Sequence, residues 1–243
     1  MNKTELRLQA ALNENHALAE ATRRSSFPAE AFDALQQWQR ERLAQTYADL
    51  MADDQFRAAG EFFLNELYGG LAFRERDQQV ARVLPVMIRT LPEHMLHALA
   101  RAFELQALSL ELDMDMAHHM PADALQDLDA ATYQRIYIST ARREDRLRQI
   151  ELIRDLGLEL NELVRHRLVL NLVKLLRVPA RAAGFGLLQD FLEQGLWAFR
   201  AMQDGPRFVT SVYQRELEIM QRLLDGQGAP FDLQKVQPKC SSR

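Results

Sequence analysis

Apolar side chains recur every three or four residues along nearly the whole chain, a spacing that gives a helix one buried face and gives a strand none. Phe32, Leu35, Leu43, Tyr47 and Leu50 repeat in this way just after Pro28. Proline suits the first turn of a helix, so a helix is predicted over 29–51. Asp53 and Asp54 offer an N-cap to a shorter helix, in which Phe56, Ala59, Gly60, Phe63 and Leu67 share a face and which Gly69 and Gly70 stop. Val80, Val83, Leu84, Met87, Ile88 and Leu91 form the cleanest amphipathic stripe, with Arg82 and Arg89 off it and Pro85 kinking it or delaying its start.

Pro92 opens a long helix to about His119. Leu96, Leu99, Phe103, Ala107, Leu110 and Met114 line one side of it and Leu105, Leu108 and Leu112 another, so it is predicted to be central and heavily buried. Beyond Pro121 a polar segment leads to Tyr133, Ile136 and Tyr137, and Arg142 opens a helix predicted to reach Leu176. Pro179, Gly184 and Gly186 then break the chain, and two more helices follow over 187–202 and 208–224. The only local alternation lies over 133–140, and a lone strand makes no sheet. The fold is therefore read as all-α, an irregular multi-helix bundle of about eight helices. An N-terminal helical arm (1–26) precedes a single helical domain (27–225) and a flexible C-terminal tail (226–243).

Composition narrows the function classes. A net charge of -4 lacks the domain-wide cationic excess of a nucleic-acid coat, so no nucleic acid is expected as partner. The one cysteine, Cys240, allows neither an internal disulfide nor a cysteine-based metal site, which fits a reducing cytoplasm. Glu5, Arg7, Asn13, Glu14 and Asn15 interrupt what would be the apolar core of a secretory signal. No window reaches the ~20 apolar residues of a membrane span; the best, 168–188, contains Asn171, Lys174, Arg177, Pro179 and Arg181.

Catalytic patterns are missing. A carboxylate-bridged di-iron bundle needs two Glu-x-x-His motifs, and Asp115-x-x-His118 is the nearest match. His118 and His119 read instead as cations that complement a helix C-terminus, and His94 with His97 as surface capping in a first turn. No Gly-x-Ser-x-Gly elbow and no phosphate-cradling glycine loop occurs. No catalytic residue, metal or cofactor is assigned.

Residues 163–189 stand apart, because they contain no carboxylate yet carry five cations among Leu, Val, Ala and Gly. Arg165, His166, Arg167, Lys174, Arg177 and Arg181 are the candidate anion- or partner-binding residues. The plainer reading makes this an ordinary bundle helix, its cations reaching solvent along their stems while Val164, Leu168, Leu172, Leu175 and Leu176 enter the core. Trp38, Met95, Leu105, Leu158 and Trp197 fall off the main stripes of their helices and require a second core layer or a partner.

Two blocks carry a resemblance. Phe62-Phe63-Leu64-Asn65-Glu66-Leu67-Tyr68-Gly69 is followed by Arg74 to Asp77 and by Val80-Ala81-Arg82-Val83-Leu84-Pro85. Gln149-Ile150-Glu151-Leu152-Ile153, then 163–166 and 182–202, complete the set. Together they resemble a family of uncharacterised bacterial all-helical proteins over roughly 55–224. The resemblance implies a bacterial origin and a helical fold, with no activity and no catalytic residue to carry over. Relatives are expected to hold a proline after the histidine, where this chain has Arg167.

The chain is read as a non-catalytic protein-interaction or regulatory module that binds a protein partner or self-associates. One rival is a carrier or enzyme for a hydrophobic or anionic small molecule held between the 92–119 and 187–202 helices. Another is peripheral binding to an anionic lipid surface through 163–189. An enclosed cavity lined by His or Arg favours the carrier.

Overall fold

Helices begin where the sequence satisfies or removes free backbone N–H groups. At α1 (Lys3–Ala21) the Asn2 side chain accepts from the Glu5 N–H at 2.9 Å, and the Glu5 carboxylate accepts from the Asn2 N–H at 3.1 Å, a reciprocal capping box. Pro28 precedes α2 (Ala29–Thr46) and Pro92 precedes α5 (Glu93–His118). Asp129 caps α6 (Ala130–Ser139) through the Thr132 N–H at 2.7 Å, and Asp204 caps α10 (Gly205–Leu224) through the Arg207 N–H at 3.1 Å. The remaining helices are α3 (Ala48–Ala52), α4 (Asp54–Leu67), α7 (Arg143–Leu163), α8 (Arg167–Ala182) and α9 (Gly186–Ala201), with a 3-10 turn at Ala122–Ala124.

The computed structural model describes residues 2–67, 88–89 and 91–233. The stops at Gly69 and Gly70, Tyr68, the run from Arg74 to Asp77, the stripe from Val80 to Met87 with Pro85, and Cys240 lie outside them. Ile88 and Leu91, the end of that stripe, pack on the α1–α5 core. Among the described residues there are ten α-helices and no strand, so the all-α class stands and the count of about eight is corrected upward.

Two splits raise the count, and so does α6, a helix at Ala130–Ser139 where the sequence offers only local alternation. The helix read over 29–51 breaks at Tyr47, where the Thr46 carbonyl accepts from Arg215 Nη1 at 2.9 Å and the Tyr47 hydroxyl reaches Glu216 at 2.6 Å. The helix read from Arg142 to Leu176 breaks at 164–166 although no Pro or Gly stands there. Leu163 enters a core with Ala98 and Val169, Val164 enters another with Phe199 and Phe208, and extended His166 (φ -82°, ψ 110°) turns the chain between them. Packing, not a local breaker, ends α7. Conversely, Pro179 lies inside α8. The real stop is Gly184 at φ +83°, where Phe185 N–H bonds Ala180 C=O and Gly184 N–H bonds Arg181 C=O, a C-terminal motif that needs left-handed backbone.

Helix α5 is the centre, flanked by α1, α2 and α7. Leu8, Ala11 and Leu12 of α1 meet Leu96, Ala100 and Phe103, and buried Asn15 donates to the Ala11 and Phe103 carbonyls, both at 2.8 Å. The segment read as an arm is thus laid along α5. Helix α10 closes on α7 at Gly157, where a Cβ would meet Val209 Cγ2 at 2.8 Å. A second core, Phe56, Val164, Phe199, Met202 and Phe208, joins α4, α7, α9 and α10. The tail is held as far as Phe231, whose ring meets Trp38 at 5.4 Å and Tyr133 at 5.9 Å.

Candidate functional site

Helix α8 has two apolar faces. Val169 and Val173 are buried, while Leu168 is 83% exposed, Leu175 75% and Val178 76%. The sequence reads Leu168, Leu175 and Leu176 as core; the structure leaves all three exposed, because α9 covers only the valine side. On α9, Trp197 is 56% exposed, and Leu187 is exposed as well. Of the five residues said to need a home, Leu105 is buried, Met95 packs on the Leu163–Val169 core and Trp38 stacks on Tyr133 at 4.2 Å. Leu158 and Trp197 remain exposed.

The cations of this surface divide into two groups. Arg177 is held by both oxygens of Glu193 and Arg181 by Asp190 at 2.6 Å, both carboxylates on α9. The hydrogen bonds from Arg177 keep the Glu193 carboxyl below its ordinary range, opposed by burial. Lys174 Nζ stands 5.7 Å from the centroid of the Trp197 ring. Arg165 and Arg167 are exposed and form no ion pair with a described residue. The His166 ring stands 6.1 Å from that of His94. The six sequence-predicted residues therefore do not converge on one point.

A buried polar cavity of about 40 Å³ lies elsewhere, among α2, α5, α6, α7 and α10. Asp113 is fully enclosed, and its two oxygens accept from Gln36 at 2.7 Å and Gln39 at 3.0 Å. Arg42 grips Glu216 at 2.6 and 3.3 Å, and Tyr47 donates to the same carboxylate. The Arg146 guanidinium, 5% exposed, lies 4.7 Å from the centroid of the Tyr137 ring. Its Nε and Nη2, and Gln39 Oε1, have no hydrogen-bond partner. Burial pushes the phenols of Tyr133 and Tyr137 up, so they stay neutral donors.

Burial also pushes the Asp113 carboxyl up, opposed by the Arg146 charge and by the bonds from Gln39 and Gln36. A raised folded-state value means that the native protein holds this proton more tightly than the unfolded chain does. The contribution of Asp113 is complete below the ordinary carboxylate range and lost as pH rises through the folded value. In urea titrations across pH 4–8, the stability of wild type minus that of Asp113→Asn is expected to fall with rising pH. A difference that grows with pH would show that the Arg146 charge outweighs burial.

Sequence reasoning missed this cavity, although a signal existed. Gln39 stands between Leu35 and Leu43 on one stripe, and Arg146 four residues before Ile150, each polar where the period calls for an apolar side chain. The reading of His97 is also corrected. His97 accepts from Arg7 Nη1 at 3.2 Å, so its Nδ1 carries the proton donated to Glu159 at 2.9 Å. It ties α1 and α7 to α5, not a surface cap. His118 and His119 bond the Met114 and Asp115 carbonyls at the end of α5. Among the described residues no group of three or more His, Cys, Asp or Glu is placed to hold a metal, and no helix is long and apolar enough to cross a membrane.

A family model described as Domain of unknown function (DUF8198) matches residues 19–230. No curated protein and no solved structure matches.

Proposed function

The chain belongs to the family described as Domain of unknown function (DUF8198), and on that premise we propose that it is a cytoplasmic bacterial protein-interaction module that docks a partner on the outer face of α8. The observation that carries this reading is the row Leu168, Leu175 and Val178, each at least three-quarters exposed. Large apolar side chains gathered on one exposed helix face and edged by charge are characteristic of binding surfaces.

Charge selects the occupant. Arg165, Arg167 and Lys174 pair with no described carboxylate, whereas Arg177 and Arg181 are already neutralised by α9. The remaining charge is too small for strong attraction to a lipid surface, at ~1 kcal/mol per near-surface cation. A second copy brings the same cationic edge. The complementary partner is another protein presenting an apolar helix flanked by carboxylates.

A photo-crosslinking residue placed at Leu175 in cells tests this. The expected result is one discrete adduct, absent when the probe sits at exposed Glu41 on α2 and lost when Arg167 and Lys174 are changed to Glu. An adduct of twice the chain mass would replace the partner by self-association. Crosslinks to lipid alone, or an adduct indifferent to charge reversal, would refute the docking mechanism.

A further inference from the structure

A guanidinium can take a carboxylate along the edge formed by Nε and Nη2, whose N–H bonds run side by side at the spacing of two carboxylate oxygens. In Arg146 these are the two nitrogens without a hydrogen-bond partner, on a side chain 5% exposed and lining the cavity. Buried cationic donors left unpaired are strongly unfavourable, so an unused pair on one edge points to a missing acceptor.

Neighbouring acids do not supply it. Both oxygens of Asp113 are taken by Gln36 and Gln39, and Glu216 is taken by Arg42 and Tyr47. The ring of Tyr137 fixes the guanidinium plane from one side. Ile150, Ile153 and Ile219 give the cavity apolar lining beside Arg146. About 40 Å³ holds roughly three waters or one very small molecule.

We propose that this cavity binds a short aliphatic carboxylate, with its two oxygens on Arg146 Nε and Nη2 and its alkyl end against Ile150, Ile153 and Ile219. The site is separate from the α8 surface and stands whether or not that surface docks a partner. Arg42 and Tyr47 hold Glu216 away from the free edge, and burial weakens the competing negative charge of Asp113.

Calorimetric titration of the full chain with sodium propionate at constant ionic strength is expected to show saturable one-to-one binding, with none for neutral propionamide. Arg146→Lys keeps the charge but lacks the fork, and should weaken propionate by about tenfold or more. Absence of saturable binding to wild type, or equal affinity in Arg146→Lys, overturns the proposal. Because that variant can fail to fold, a crystal structure of the wild-type protein grown in propionate gives an independent reading. Carboxylate density on Nε and Nη2 supports the site; ordered water alone at those atoms overturns it.

Discussion

Replacing Arg42 with methionine is expected to lower stability by about 3–5 kcal/mol, the cost of leaving a buried ion without its partner. The Arg42 and Glu216 side chains are only 10% and 15% exposed and meet through two bonds at 2.6 and 3.3 Å. Once the cation is gone, Glu216 keeps only the Tyr47 hydroxyl in a setting that solvates charge poorly. The double change Arg42→Met with Glu216→Leu removes both ions and should recover most of the loss, since apolar side chains of similar volume often replace a buried pair without penalty. Urea unfolding of the two single variants and the double variant measures this directly. A loss below about 1 kcal/mol for Arg42→Met would mean that water reaches the pair as it does at a surface.

Phe199→Ala should destabilise to a similar extent, about 3–5 kcal/mol, because truncation of an enclosed phenylalanine combines lost burial with a cavity. Phe199 is 1% exposed and its ring meets that of Phe63 at 5.6 Å within the core shared by α4, α7, α9 and α10. At roughly 2–4 °C per kcal/mol for a domain of this size, Tm falls by roughly 6–20 °C. Phe199 also seats α9, and α9 carries Trp197 and the carboxylates that hold Arg177 and Arg181. Trp197 emission should therefore lose its native character in the same transition as the far-UV dichroism. Two separated transitions would show that α8 and α9 unfold as a unit of their own.

These expectations differ in how far they can be read without coordinates. The burial of Phe56 and the central place of α5 follow from apolar spacing, since a helix with hydrophobic residues on several sides has to be surrounded. The fate of Leu168 and Leu175 does not. Helix α8 carries apolar residues on two sides, and the sequence treats both as core. Only one side faces α9. The cationic stretch shows the same limit, because Glu193 and Asp190 lie 16 and 9 residues away from the arginines they neutralise.

Local chemistry set the helical class of this chain and most of its helix starts, because caps, prolines and three-to-four spacing act within a few residues of one another. Helix–helix packing decided the turn at His166, the outward face of α8 and the empty edge of Arg146. Each of these depends on which surface arrives opposite from a distant part of the chain, and a one-dimensional pattern carries no record of that neighbour.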